Sequence, residues 1–370
     1  MTVVHIGPSA LPILFPRGGA TERRMRELAA RQAAAGSKVI VYSAEDRWAT
    51  RSYRGAEIRA VECRRRGIPR SFEFLWKAVR DAQPLKPDVI HFHTLAEGAA
   101  LSNGFAGCKV LSYDFFEFRR GKRNLLFPLY RRALRKFTHL MPVSEFCRRE
   151  SAAYWSIPAG RMQVVYNGVS LQQFHPDAVA GLERRHACGL NGDFTLLFVG
   201  RVCLQKGTDL LIEACRRLRA EKRNVRVVVA GPASQFGTAG GNDLTGRLQH
   251  IGGLYLGAVD ESLLPSVYNM CDAFVLPTRA YEMFGMAAIE AQACGKPVVC
   301  SNHGGLPEVI RPDSGLLFDT GDAAGLTHRL RQLMDTPNLL RSLSQAAVRN
   351  AQRFAWENIV DQLNCLYRKV

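Results

Sequence analysis

Short apolar runs alternate with longer amphipathic stretches along most of the chain. This alternation is typical of buried parallel strands that are covered by helices, so it predicts an α/β fold. In the first half the pattern predicts strands at 3–6, 38–42, 89–92, 109–112, 139–143 and 163–165. Helices are predicted between them, notably at 20–35, 125–136 and 145–155.

The alternation stops at Asn167 and Gly168, and a polar stretch follows as far as Asn191 and Gly192. It then restarts, which predicts a second doubly wound domain and a cleft between the two. We expect an N-terminal domain over 1–180, a second over 190–350, and a last amphipathic helix over 351–370. The strands of the second domain are predicted at 194–199, 225–230, 253–256, 273–276 and 297–300.

The composition is that of a globular protein, with 47% hydrophobic and 22% charged residues. No apolar run approaches the roughly 20 residues that a membrane-spanning helix needs. The chain opens on a strand, without the basic lead and longer apolar run of a secretory signal, so we expect a cytoplasmic protein. The 10 cysteines are scattered and include no C-x2-C pair, which predicts reduced thiols and no zinc site.

The positive charge of the chain is concentrated in its first half. Residues 1–180 carry 29 Lys and Arg against 15 Asp and Glu, a net +14 out of the total +17. Residues 181–370 carry 21 against 18, a net +3. The asymmetry indicates that the first half meets an anionic partner, although an arginine-rich solvated surface is the alternative. A nucleic-acid-binding protein would also be basic, but the sequence shows none of the motifs expected of one.

The most informative stretch runs from Glu282 to Glu290 and follows a predicted strand that ends at Pro277. A helix is predicted over 284–294. Gly285 would let a ligand approach the backbone N–H groups of its first turn, where the helix dipole favours phosphate. Two carboxylates beside such a site suit sugar hydroxyls, whereas an ordinary helix with two glutamates is the alternative.

Two cations, Arg201 and Lys206, follow the strand predicted at 194–199. Ligands of open α/β sheets bind at the carboxyl ends of the strands, so both cations are placed to hold a diphosphate. Either residue alone would be typical of an exposed surface. Followed by Glu282 and Glu290 in this order, they predict a site that holds a diphosphate between sugar hydroxyls.

With these residues the chain resembles glycosyltransferase family 4, a family of retaining glycosyltransferases with the GT-B fold, over essentially its whole length. That fold consists of two Rossmann-like doubly wound domains facing a cleft, with the last helix crossing back to the N-terminal domain. The principal matches are Gly18-Gly19, Gly200-Arg201, Lys206-Gly207, and Glu282 with Phe284-Gly285 and Glu290. Supporting matches lie at 165–169, 304–309 and 354–357.

The resemblance implies a role for each matching residue. Arg201 and Lys206 would bind the donor diphosphate, Glu290 the ribose hydroxyls, and Glu282 a hydroxyl of the transferred sugar. Backbone amides around the start of the helix would contact sugar and phosphate, and 256–260 resembles the segment that lines the base pocket. The implied donor-binding set is completed by Gly18, Gly19, Val259, Met283, Phe284, Gly285 and Met286.

Two histidines, His91 and His93, lie at the end of the strand predicted at 89–92. Strand alternation places both on the same face. A histidine at a strand end is often structural, but the resemblance places His93, rather than His91, near the transferred sugar. The predicted catalytic set is therefore His93, Arg201, Lys206 and Glu282. No other ligand has a spacing that would complete a zinc site.

Residues 114–136 mix aromatic side chains with eight cations. Such a segment suits a peripheral contact with an anionic membrane through 115–136. It equally suits an acidic acceptor or a solvated helix, and the sequence leaves these alternatives open.

The reaction that the resemblance implies moves a sugar to an acceptor hydroxyl with retention of configuration. UDP is the default carrier in the family, for example as UDP-glucose or UDP-N-acetylglucosamine, while the acceptor (lipid-linked, glycan or small molecule) is not legible. No D-x-D motif stands in a plausible place, so we expect no metal and no cofactor. The alternatives are a phosphorylase of the same fold, a sugar-nucleotide epimerase and a nucleic-acid-binding protein.

Overall fold

The computed structural model describes residues 1–8, 11–14, 19–63, 69–114, 127–190, 192–233 and 240–368. The chain divides into two compact units. Unit 1 comprises Met1–Gly168 and Trp356–Val370, and unit 2 comprises Val169–Ala355. Each unit contains one predominantly parallel sheet with helices around it, so both are Rossmann-like, as the alternation of apolar runs predicts.

Unit 1 is built on a seven-stranded sheet in the order β3-β4-β2-β1-β5-β6-β7. All neighbouring strands are parallel except β3, which runs antiparallel to β4 at the edge. The strands are β1 Thr2–Ile6, β2 Lys38–Glu45, β3 Ala49–Tyr53, β4 Ala56–Glu62, β5 Val89–His93, β6 Cys108–Tyr113 and β7 His139–Pro142. The helices are α1 Ala20–Ala34, α2 Arg70–Ala82, α3 Gly98–Leu101, α4 Phe127–Leu134, α5 Glu145–Trp155 and, from the end of the chain, α14 Trp356–Tyr367.

The core of unit 1 shows why the end of the chain belongs to this unit. Apolar side chains of α14, among them Ile359 and Leu363, are buried against Val3, Val89 and Leu28 of the sheet and α1. Burying a side chain such as Leu363 stabilises a fold by about 1.5–3 kcal/mol. The apolar face of α14 is therefore covered by the sheet and α1 of unit 1.

Unit 2 has a six-stranded parallel sheet in the order β10-β9-β8-β11-β12-β13. Its strands are β8 Phe194–Val199, β9 Val225–Ala230, β10 Leu254–Gly257, β11 Ala273–Leu276, β12 Val298–Ser301 and β13 Gly315–Phe318. Its helices are α6 Ala178–Ala187, α7 Thr208–Ala220, α8 Gly241–His250, α9 Leu264–Asn269, α10 Met286–Ala293, α11 Leu306–Val309, α12 Ala323–Asp335 and α13 Pro337–Ala351.

One predicted strand, 163–165, is wrong. Gln163 and Val165 donate backbone N–H groups to the carbonyls of Leu140 and Pro142 in β7, but only an isolated bridge forms. Pro142 has no N–H to return a bond, so the ladder cannot continue. Among the strands, β3, β4 and β13 were not predicted.

No helix among the described residues is both long enough and sufficiently apolar to cross a membrane.

Candidate functional site

The sheet of unit 2 reverses its winding between β8 and β11, which lie side by side although β9 and β10 separate them in sequence. Ligands of doubly wound sheets bind at such a switch point, beyond the carboxyl ends of the strands. The loops that follow β8 and β11 are bonded to each other there. The carbonyl of Gln205 accepts hydrogen bonds from the backbone N–H groups of Arg279 (2.8 Å) and Ala280 (3.0 Å).

Gly207 allows this contact between the two loops. It has φ +75°, and a Cβ at this position would lie 1.8 Å from the carbonyl oxygen of Pro277. Only glycine meets both constraints without moving the backbone. Lys206, the residue before it, ends a 3-10 turn and is thereby held beside the loop that follows β11.

Lys206 and Glu282 form an ion pair at this point, with 2.5 Å between Nζ and Oε2. Their side chains are 19% and 21% exposed, so solvent reaches both partners. The backbone of Glu282 is fixed because its carbonyl accepts the N–H of Gly305 at 2.7 Å. A partly exposed ion pair of this kind is weak, so either partner can exchange the other for a ligand.

The helix after this loop, α10, begins at Met286 rather than at the predicted 284. Gly285 is its N-cap with φ +93°, a left-handed conformation that favours glycine. The side chains of Met283 and Phe284 are buried, and the ring of Phe284 packs on Phe354 with 5.4 Å between centroids. These residues therefore offer a ligand their backbone rather than their side chains.

Glu290 lies inside α10 and is only 2% exposed. Its carboxylate accepts a hydrogen bond from the hydroxyl of Tyr268, with 2.8 Å between the oxygens. Tyr268 belongs to α9 and is fully buried, so it holds the carboxylate in one orientation. Arg201 and Val259 lie half-buried in the loops after β8 and β10, at the same edge of the sheet.

The corresponding switch point of unit 1 lies between β1 and β5, and a cluster of histidines occupies it. The rings of His91 and His93 stack with 4.1 Å between centroids, which confirms that they share a face. His5 of β1 joins them, with 3.0 Å between its Nδ1 and Nε2 of His93. All three side chains are buried.

Polar side chains from three further elements surround the histidines. His5 Nε2 lies 2.7 Å from Oε1 of Gln32 in α1, and His91 bonds to Ser112 of β6 and Tyr367 of α14. Arg24 of α1, only 4% exposed, donates to the Ser112 hydroxyl at 3.2 Å. The core between the sheet, α1 and α14 is thus apolar toward the start of the strands and polar toward their carboxyl ends.

Burial keeps these histidines neutral near pH 7. It lowers the pKa of His5 to about 4, an effect that the hydrogen bond from His5 to Gln32 partly offsets and the charge of Arg24 reinforces. Burial also lowers the pKa of His91 and His93, to which the charge of Arg24 adds. The pKa of Arg24 itself falls to about 10, so its guanidinium remains charged.

Ring nitrogens of His5, His91 and His93 lie within 4.8 Å of one another, a spacing that also suits a metal ion. Two features favour a hydrogen-bond network instead. Five of the six ring nitrogens already have partners in the chain, and the positive charge of Arg24 repels a cation.

The first loop is described only in part. Gly18 lies outside the described residues, while Gly19 is the N-cap of α1. The carboxylate of Glu22 folds back over Gly19, since a Cβ there would lie 2.7 Å from Glu22 Oε2. Burial raises the pKa of Glu22. Residues 115–126, most of the basic aromatic segment, also lie outside the described part of the chain.

Two family models match the chain, one in each half. Residues 18–173 match Glycosyltransferase Family 4, and residues 185–350 match Glycosyl transferases group 1. Both halves of the chain match glycosyltransferase families.

A curated relative of this chain is also named as a glycosyltransferase. D-inositol 3-phosphate glycosyltransferase of Segniliparus rotundus is 34% identical over 226 residues, which cover 58% of this chain and 48% of that protein. The chain spans about half the length of the curated relatives it matches.

Solved structures are similar to this chain along its entire length. Sucrose-phosphate synthase from Thermosynechococcus elongatus matches with a TM-score of 0.84 at 22% identity, covering 100% of this chain and 99% of that one. Anabaena HepE in complex with UDP-glucose matches with a TM-score of 0.81 at 19% identity, covering 100% of both. At these identities the likeness shows the fold, which is GT-B, as the sequence resemblance implies.

Several residues of both sites could not be predicted from the sequence. His5, Arg24, Gln32, Ser112 and Tyr367 come from four strands and helices besides β5, and none carries a motif of its own. His5 had one usable signal, because it sits in β1 at the position that pairs with His91 in β5. Tyr268 had none, because a tyrosine in a short helix is usually a core residue.

Proposed function

We propose that the protein is a retaining glycosyltransferase of family 4 that takes its sugar from a nucleoside diphosphate sugar. One observation carries this proposal: the Lys206–Glu282 ion pair stands at the switch point of the unit 2 sheet, just before the N-terminus of α10. Such a position favours a phosphate on the backbone N–H groups and a cation beside it. Glu290 and Glu282 then supply acceptors for hydroxyls.

In this proposal, donor binding breaks the ion pair between Lys206 and Glu282, and each side chain then contacts the donor instead. The ammonium of Lys206 turns from Glu282 to the diphosphate, and Arg201 adds a second cation. Glu282 is then free to accept a hydrogen bond from a hydroxyl of the transferred sugar, while Glu290, oriented by Tyr268, accepts from the ribose. Each side chain thus gains a partner that suits its charge.

The transfer breaks the bond between the anomeric carbon and the diphosphate oxygen. The acceptor oxygen forms its bond to the same face of that carbon, so configuration is retained, and the acceptor proton passes to the departing diphosphate. Arg201 and Lys206 stabilise the negative charge that builds on the leaving group, which is the largest contribution we assign to the protein. Because two cations serve the diphosphate, the proposal requires no metal and no cofactor.

The comparisons favour particular substrates within this class. One structural neighbour binds UDP-glucose, so we propose a UDP-sugar such as UDP-glucose or UDP-N-acetylglucosamine. The names of a relative and a neighbour contain inositol phosphate and sucrose phosphate. A hydroxyl acceptor that carries a phosphate also fits the net charge of +14 of residues 1–180, which contain 29 Lys and Arg and 15 Asp and Glu.

We further propose a cytoplasmic protein with a peripheral contact to anionic membrane through 115–136. The described part of this segment, 127–136, contains α4, on which Leu129 is 63% exposed and Arg132 is also exposed. An apolar side chain beside cations is the arrangement of interfacial helices.

A thermal-shift series with the glucose conjugates of UDP, GDP, ADP and dTDP tests the donor site. A ligand at a hundred times its Kd stabilises the unit that binds it by about 2.7 kcal/mol. This corresponds to an increase of about 5–10 °C in the Tm of a unit of this size. We expect the UDP sugar to give this increase and Glu290→Ala to abolish it.

Two further variants calibrate the result. Tyr268→Phe removes only the hydrogen bond to Glu290, and we expect it to weaken donor binding by about fivefold to tenfold. Glu183→Ala changes an exposed carboxylate on α6 and should respond like the unmodified protein. If no nucleotide sugar raised the Tm, or if Glu290→Ala responded fully, the donor-site assignment would be wrong.

A further inference from the structure

The histidine cluster of unit 1 leaves one ring nitrogen unoccupied. Both nitrogens of His5 and both of His91 are hydrogen-bonded, as is Nε2 of His93. Of the six ring nitrogens in this cluster, Nδ1 of His93 is the one without a hydrogen bond to any described residue. His93 is the last residue of β5, at the edge where doubly wound sheets bind ligands. A single free nitrogen at this edge is a candidate contact for a substrate.

The hydrogen bonds determine whether that nitrogen carries a proton. Oε1 of Gln32 can only accept, so Nε2 of His5 must donate to it across 2.7 Å. His5 is neutral, and its Nδ1 is therefore an acceptor. The bond of 3.0 Å between His5 Nδ1 and His93 Nε2 then requires the proton to reside on His93 Nε2. A neutral His93 is left with a lone pair on Nδ1.

The last helix, α14, determines the orientation of the Gln32 amide, on which these donor and acceptor assignments depend. The amide of Gln32 donates from Nε2 to Oδ1 of Asn364 in α14, with 3.4 Å between the atoms. This contact turns Oε1 of Gln32 toward His5 rather than away from it. The opposite orientation of the amide would reverse each donor and acceptor, and Nδ1 of His93 would carry a proton.

We propose that Gln32 and His5 are positioning residues that hold His93 as its Nε2–H tautomer, so that Nδ1 accepts a hydrogen bond from a substrate hydroxyl. The hydroxyl belongs to the sugar or to its acceptor, and in this respect the inference rests on the proposed function. A neutral acceptor is the form that the surroundings favour. Arg24 is a buried cation beside the histidines, and protonation of His93 would add a second charge to the same core.

The tautomer can be measured without any substrate. Nitrogen-15 NMR distinguishes Nε2–H from Nδ1–H histidines through the couplings of each nitrogen to the ring protons, and the chain has only nine histidines. The His93 signals are identified by their loss in His93→Gln. We expect the unmodified protein to show the Nε2–H tautomer at His93, and Gln32→Leu to show a mixture. An Nδ1–H tautomer in the unmodified protein would overturn the proposal.

Turnover provides the second readout. Gln32→Leu removes the acceptor for His5, and we expect kcat to fall about tenfold, the loss of roughly one hydrogen bond. The donor KM should stay within about twofold, because Gln32 itself does not contact the donor and the proposed diphosphate and ribose contacts lie in unit 2. Gln32→Glu keeps an acceptor oxygen, and the amide of Asn364 can rotate to donate to it. This variant should therefore recover most of the turnover and the Nε2–H tautomer at alkaline pH, where His5 stays neutral although the added carboxylate raises its pKa.

A matched control removes a similar contact elsewhere in the same unit. His139 of β7 lies 3.3 Å from Oε1 of Gln163, outside the cluster. Gln163→Leu should leave both kcat and the His93 signals unchanged. Equal kcat in Gln32→Leu and the unmodified protein would overturn the positioning role. If no sugar nucleotide is turned over at all, the proposed function fails, while the NMR result still decides the tautomer.

Discussion

Units 1 and 2 have related sheets, and each gathers polar side chains at its switch point, but they do so in different ways. In unit 2 the central pair is Lys206 and Glu282, charged and about one-fifth exposed. In unit 1 the central groups are His5, His91 and His93, neutral and buried. The partly exposed pair can exchange partners at little cost, whereas a buried network is costly to alter. This contrast suits unit 2 to binding a charged group and unit 1 to orienting an uncharged one.

The largest effect should come from the charged pair. In the proposed reaction Lys206 stabilises the leaving diphosphate, so we expect Lys206→Ala to lower kcat by about 10²–10³, corresponding to roughly 3–4 kcal/mol. The fold should remain intact, because the side chain is partly exposed and its loss leaves no cavity. Steady-state kinetics together with a thermal melt measure both quantities.

Arg217→Ala, on the helix that follows Lys206, is the control for removing a cation from this unit. It should leave kcat unchanged. Full turnover by Lys206→Ala would remove the diphosphate role and with it the contrast between the units.

The next effect concerns the buried histidines. The pKa of His5 is about 4 in the folded chain and 6.5 in the unfolded one, so the unfolded state binds more protons between these values. The stability of unit 1 should therefore fall as the pH is lowered from 6.5 to 4, by about 3 kcal/mol from His5 alone. His91 and His93 act in the same direction.

Tryptophan fluorescence can follow this loss selectively, because all 4 tryptophans lie in unit 1. Urea melts at pH 7 and pH 5 should show a large drop for the unmodified protein and a smaller one for His5→Phe. Identical drops would mean that His5 is not buried as a neutral ring.

The smallest effect concerns the basic surface. Leu129→Ala shortens an exposed apolar side chain on α4, and we expect it to weaken binding to anionic vesicles by about fivefold, roughly 1 kcal/mol. Flotation with phosphatidylserine vesicles measures this. Leu182→Ala, equally exposed on α6 of unit 2, should have no effect. If the unmodified protein did not float with the vesicles, the membrane contact would be excluded.

The difference between the two units also explains why the site residues of unit 2 could be predicted from the sequence and most of those of unit 1 could not. The unit 2 site could be predicted because each of its residues belongs to a short loop or helix start of recognisable chemistry: Arg201, Lys206, Glu282 and Glu290. The rule that ligands bind at the switch point of a doubly wound sheet also predicts that these loops meet. The structure does bring Lys206 and Glu282 into contact. The cluster of unit 1 was visible only as His91 and His93, because its other members are single residues on separate elements.

Errors in secondary structure have equally local causes. The strand predicted at 163–165 fails because Pro142 in the neighbouring strand lacks an N–H group. The β3 strand at the sheet edge was missed because its side chains are only partly buried, so its sequence lacks an apolar run. By contrast, β4 alternates buried and half-buried positions, a period-2 pattern that sequence reasoning should have detected.

The helix α14 has a consequence for the order in which the molecule is completed. Unit 2 consists of one continuous stretch, Val169–Ala355, whereas unit 1 needs both Met1–Gly168 and α14. During synthesis the ribosome therefore finishes all residues of unit 2 before it supplies Asn364 and Tyr367 to the histidines of unit 1. Domains fold as their residues emerge. The unit that begins the chain is thus the last to acquire its full set of polar contacts.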